Sequence, residues 1–152
     1  MSFTGSYITN SFIAELWGGT HVFGTDTFKI ALYTSSATLN AATTAYSATN
    51  ETSGTGYTAG GAVLSGFTLT QFSTLNGTVT TITFANPSWA SSTFTARGGL
   101  IYNSSKANRS VMVLDFGSDH SSNGTTFTVQ MPPNTANTAL ITSQVLPNPL
   151  GS

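Results

Sequence analysis

Apolar and polar residues alternate with a period of two along most of the chain, the pattern of strands with one covered face. Thr27 to Tyr33 (TFKIALY) places Phe28, Ile30 and Leu32 on one face and Lys29, Ala31 and Tyr33 on the other, which predicts a half-buried strand. Ala62 to Thr70 (AVLSGFTLT) sets Phe67 and Leu69 against Thr68 and Thr70. Asn76-Gly77 follows, a pair suited to the positive φ angles of a type I′ turn, and predicts a hairpin from Phe67 to Phe84. Gly99 to Asn103 (GLIYN) and Ser110 to Phe116 (SVMVLDF) are apolar on both faces, as central strands are, and the short SSKANR link makes them a hairpin. Thr125 to Met131 alternates again, with Phe127, Val129 and Met131 inward, until Pro132 and Pro133 stop it, and Thr138 to Thr142 predicts a last strand.

One segment has helical spacing. Asn10 can cap a short helix through Ser11 to Trp17, with Phe12, Ile13, Leu16 and Trp17 on a shared face and Gly18-Gly19 as the stop. No helix of crossover length separates the strands, so the expected fold is all-β, an antiparallel β-sandwich or jelly roll of about 7–8 strands with one short N-terminal helix. At 152 residues the chain is expected to form a single domain, with an N-terminal arm (1–20) and a C-terminal arm (144–152).

Composition adds an unusual surface. Ten Phe, five Tyr and two Trp suffice for a packed core, but charged residues make up only 6% where about 25% is usual. The 28 Thr and 20 Ser must therefore cover most of the solvent face. A hydroxyl-rich surface offers little repulsion between copies and suits a protein that works assembled. Lys29, Arg97, Lys106 and Arg109 are scattered, so the basic patch of a nucleic-acid partner is missing. The N-terminal MSFTGSYITN has no basic stretch leading into an apolar run, and no window has the length of a membrane span, so no membrane partner is expected. The absence of cysteine removes disulfides and thiolate chemistry.

Candidate chemistry is sparse. The stretch SGTGYTAGG (Ser53 to Gly61) spaces Gly54, Gly56 and Gly60 as G-x-G-x-x-x-G, with no following Lys and with a strand rather than a helix after it. Phosphate loops need that Lys or that helix, so the glycines read as backbone geometry and Tyr57 as an anchor against the sheet edge. A Ser-His-Asp set can be written with His120 and Asp115 or Asp119, but twenty serines make the match uninformative, and GSDHSSNG reads as a solvated turn. The same three residues supply too few oxygens for a hard cation. Five sequons, at Asn50, Asn76, Asn103, Asn108 and Asn123, are close to what chance supplies in so hydroxyl-rich a chain. No catalytic, cofactor-binding or metal-binding residue is assigned, and the protein is not expected to be an enzyme.

Three segments in order, DTFKIALYTSSATLNAATTAYS, TNETSGTGYTAGG and FTARGGLIYNSSKANRSVMVLDFG, span approximately Asp26 to Phe116. They resemble a family of small virion structural proteins of tailed bacteriophages. The resemblance implies a capsid decoration (cement) protein on the outside of the phage head, made in the host bacterial cytoplasm. It implies a homo-oligomer, often a trimer, with the major capsid protein as partner. Phe3, Tyr7, Ile8, Phe12, Ile13, Leu16 and Trp17 are more apolar than a free end needs and, with Tyr57, are the expected assembly contacts. The alternative is a receptor- or glycan-binding domain of a tail or head fibre, in which Tyr57, Trp89 and Tyr102 would stack on sugars.

Overall fold

The computed structural model describes residues 3–75 and 77–144. The all-β expectation holds: the described residues form eight strands, one short helix and two antiparallel sheets, of five and of three strands. The chain divides into two compact units, one of the described residues up to Leu64 with Pro87–Val129, the other of Ser65–Asn86 with the described residues from Gln130 on.

In the first unit, β1 (Tyr7–Ile8) is followed by α1 (Asn10–Trp17), β2 (Phe28–Tyr33) and β3 (Ala62–Val63), and later by β6 (Ser88–Asn103) and β7 (Arg109–Thr128). Their order in the sheet is β1-β7-β6-β2-β3. The expectation of a half-buried strand at β2 needs correction, because Ala31 and Tyr33 are as deeply buried as Ile30 and Leu32. Phe3, Ala31, Tyr33, Leu100, Tyr102 and Val113 form a core on one side of the sheet.

The GLIYN and SVMVLDF segments do form a hairpin, with Leu100 opposite Val113 and Ile101 opposite Met112. Both strands run much further than the alternation suggested. GSDHSSNG, read as a solvated turn, and Thr125 to Thr128, read as the start of a separate strand, both belong to β7. The ladder absorbs them through a wide bulge: Ala96 pairs with His120 and Gly98 with Asp115, so Phe116 to Asp119 loop out against the single residue Arg97.

β2 is covered by β6 along its whole length on one edge, but the two-residue β3 meets only Lys29 and Ile30 on the other. The Leu64 N–H donates to the Phe28 carbonyl (2.9 Å), and the segment from Asn50 through the glycine-rich loop covers the rest. Thr52 N–H donates to the Leu32 carbonyl (2.8 Å), Thr34 N–H donates to Asn50 (3.0 Å), and the Tyr57 hydroxyl accepts the Leu32 N–H (2.8 Å). So close an approach excludes side chains. A Cβ at Gly61 (φ +72°) would overlap the Ile30 carbonyl oxygen, and one at Gly54 would overlap that of Thr93.

The second unit holds β4 (Thr68–Thr74), β5 (Gly77–Thr83) and β8 (Ile141–Gln144), in the order β4-β5-β8. The predicted hairpin is present, with an unbroken register from Thr68↔Thr83 to Thr74↔Gly77. Gly77 opens β5 instead of sitting at the centre of the turn, and Asn76 lies outside the described residues. The predicted strand Ala62 to Thr70 is divided: Ala62–Val63 belongs to the first unit and Thr68 onward to the second, with Gly66 (φ +64°) between. The last strand starts later than Thr138, because Thr135 to Ala139 close a turn, the Thr138 and Ala139 amides both donating to the Thr135 carbonyl.

Gly61→Ala is expected to destabilise the protein by about 3 kcal/mol, since both the backbone conformation and the Ile30 carbonyl resist it. Gly124→Ala, at a similar φ (+64°) but with nothing within 4 Å of the added carbon, should cost only about 1 kcal/mol. Urea midpoints of the two variants check the difference.

Candidate assembly surface

The N-terminal residues expected to contact a partner separate into two groups. Phe3 is buried, and its ring lies where a Cβ on Gly98 would fall. Tyr7 and Ile8 form β1, paired with Val113 and Met112, and are partly exposed. Phe12 is fully buried against His21 and Phe23. The shared apolar face predicted for α1 does not form, because Phe12 is the one helix residue that is fully buried. Leu16 is partly covered, Ile13 is 44% exposed and Trp17 87% exposed. Ile13 and Trp17 are one helical turn apart and point to solvent together.

α1 is held firmly although it is only eight residues long. Its N-cap is Thr9, not the predicted Asn10, and the Thr9 hydroxyl makes no cap bond. It donates instead to the Val111 carbonyl (3.2 Å), with Ser110 Oγ 3.0 Å away, so it ties the helix start to β7. Gly18 and Gly19 end the helix as predicted, their amides donating to Ala14 and Leu16.

The outer turn is fastened by Glu15. One carboxylate oxygen accepts from Arg109 Nη1 and the other meets His21 Nε2, each at 2.8 Å. The Asn103 amide, in turn, lies 3.1 Å from His21 Nδ1 and donates to Asp26 Oδ2 (2.7 Å). In the tautomer in which Nδ1 accepts from Asn103, the ring proton sits on Nε2 and is donated to Glu15. Burial raises the pKa of Asp26, but the Val22 amide, Asn103, Lys106 and His21 outweigh it and hold the carboxyl below its ordinary 3.8.

Tyr57 faces the interior of its own unit. Its ring lies among Trp89 and Phe94, and its hydroxyl donates to Glu51 Oε1 (2.7 Å). Glu51 also accepts from the Tyr46 hydroxyl and from the Gly60 amide, both at 2.7 Å. Tyr102 stacks on Tyr46 (4.8 Å between centroids) and donates to the Gly60 carbonyl, and Tyr33 donates to Ser47 (2.7 Å). Sequence reasoning passed over Glu51. The available signal was its isolation, a lone carboxylate five residues from Tyr46 and six from Tyr57.

Burial, and secondarily the negative charge of Glu51, push the hydroxyls of Tyr46 and Tyr57 above the ordinary value of 10.0. Burial raises Tyr33 and Tyr102 as well.

The remaining sequence candidates are dispersed. Trp89 and Tyr102 are buried and present no face to a sugar. Asp115 is paired with Arg97 (3.1 Å) and accepts the Gly117 amide. His120 lies against Phe116, with Ser118 Oγ at 3.4 Å, and Asp119 is exposed. Among the described residues no three His, Asp or Glu converge as metal ligands. No family model matches this chain, and comparison with curated proteins and with solved structures gives no match.

Two pH responses follow. A tyrosine whose folded pKa is raised contributes stability that is intact below pH 10 and lost as the pH climbs above it, because the unfolded chain ionises first. The urea midpoint should therefore stay level to about pH 9 and fall above pH 10, with Tyr46→Phe reducing the slope. Asp26 acts in the opposite sense: its lowered pKa contributes stability above 3.8 that disappears as the pH falls through the folded value. Asp26→Asn should remove that part of the acid dependence and lower stability at neutral pH.

Proposed function

We propose that this chain is a structural protein of a tailed-phage virion, a capsid decoration protein that binds the outside of the head as an oligomer and stabilises it. The observation that carries this reading is Trp17 standing 87% exposed beside Ile13 on a helix bonded to the sheet at both ends. A large aromatic left in solvent on a helix that is tied to the sheet is the kind of residue that dominates binding energy at protein interfaces. The resemblance of the three segments points to the same role. The buried tyrosines and the ion-paired carboxylates serve the fold, and on this reading the protein acts by contact rather than by chemistry. Affinity then comes from modest contacts multiplied over an oligomer and a capsid lattice.

Heads assembled without this protein should bind it when it is added back, and reconstruction of those particles should place it on the outer surface. Density for the chain on the tail, or no binding at all, would sink the reading. Trp17→Ala should leave the thermal midpoint nearly unchanged and weaken head binding by about 2 kcal/mol, read from titration of empty heads.

A further inference from the structure

The second unit carries no ionisable side chain. Ser65 to Asn86 and Gln130 to Ser152 contain no Asp, Glu, Lys, Arg or His, so all nine charged residues and both histidines belong to the first unit. Among the described residues, no strand lies on the outer edge of β4. Because Thr74 and Gly77 pair across a two-residue connection, they exchange both of their hydrogen bonds. Along the continuous register Phe72, Thr70 and Thr68 do the same with β5, and Leu69, Gln71 and Ser73 direct N–H and C=O outward. Donors and acceptors repeating every second residue are matched by another extended strand.

Exposed edges are ordinarily guarded by lysine, proline or a bulge. β4, TLTQFST, has none of these over its seven residues, and Leu69 is 52% exposed on it. Two features select a second copy of this chain as the occupant. Neutral units meet without repulsion, whereas a charged partner strand would gain nothing from an edge that has no charge to offer. The outward residues are also symmetric about Gln71. In a two-fold antiparallel pair Gln71 faces Gln71 and Leu69 faces Ser73, so all the outward groups are satisfied in about six hydrogen bonds. The same register sets Thr70 beside Phe72, which is only partly covered within its own unit.

We infer that β4 pairs with β4 of a second copy, joining the two three-stranded sheets into one continuous sheet across a two-fold axis. This rests on the second unit alone and not on the virion reading. Sedimentation equilibrium of the full chain should show association. Gln71→Lys should weaken that association at least about tenfold by placing two ammonium groups together at the axis, and Gln71→Glu should act likewise. An equimolar mixture of the two variants should associate again as heterodimers. Gln71 is exposed and its side-chain amide donates to Thr80 Oγ1 on the neighbouring strand (3.3 Å), a long bond whose loss should be small, so circular dichroism of both variants should match the parent. Independently of any variant, amide exchange at Leu69, Gln71 and Ser73 should slow as protein concentration rises. A parent chain that stays monomeric, a folded Gln71→Lys variant that associates as well as the parent, a mixture that fails to recover, or exchange independent of concentration would each overturn it. Loss of head binding with the β4 pairing intact would count against the virion reading alone.

Discussion

The first unit depends on closing the second edge of β2. A strand buried on both faces has no water for its amides and carbonyls, so each must find a partner in the protein. β3 and the Leu64 amide that follows it supply partners at the start of the strand, and the loop from Asn50 to Gly61 supplies them at Leu32 and beyond. That loop has no regular structure to hold it, and Glu51 does so by gathering two tyrosine hydroxyls and the Gly60 amide onto one carboxylate. Hydrogen bonds to an ionised acceptor are stronger than those between neutral groups, which suits a residue that has to order a loop. Tyr57 joins the two functions, since its single oxygen donates to Glu51 and accepts from Leu32.

A second polar network does for α1 what Glu51 does for the loop. A helix of eight residues is too short to be stable alone. Thr9 at its start and Glu15 near its end both attach it to β7, through Val111 and Arg109, and Phe12 supplies its one buried side chain. The helix can then keep Ile13 and Trp17 in solvent, an arrangement that burial alone would not stabilise. Ionic groups are few in this chain, and most of them stand where an irregular segment must be fixed to the sheet: Glu15 with Arg109 and His21, Asp26 with Lys106, Arg97 with Asp115 beside the bulge. The uncharged second unit has no such clamps and relies on amide and hydroxyl contacts, such as Asn134 bridging Thr70 and Thr81.

Strand identity was legible wherever local pattern and burial agree. FKIALY, the Phe67–Phe84 hairpin, the GLIYN and SVMVLDF pair and the SFIAELW helix all appear, because β-branched and aromatic alternation and a glycine stop act over a few residues. The glycine-rich loop was also legible as geometry, through the missing lysine and the missing helix. The candidate surface was only half legible. Apolarity marked the N-terminal segment as a whole, but nothing in the letters separated Phe12, which is fully buried, from Trp17, which is almost wholly exposed.

By itself, then, the sequence determined the fold class, the order of most elements, the near absence of charge and its confinement to particular segments, since these follow from composition and short-range periodicity. Tertiary structure decided what depends on contacts distant along the chain. It brought Glu51 to Gly60 and to two tyrosines, set Thr9 rather than Asn10 at the head of the helix, and drew GSDHSSNG into β7 because β6 runs alongside to pair with it. It also left β4 at the edge of its sheet. The physical reason is the same throughout: a backbone or side-chain group takes the partner that folding brings within about 3 Å, and distance along the sequence does not constrain which partner that is.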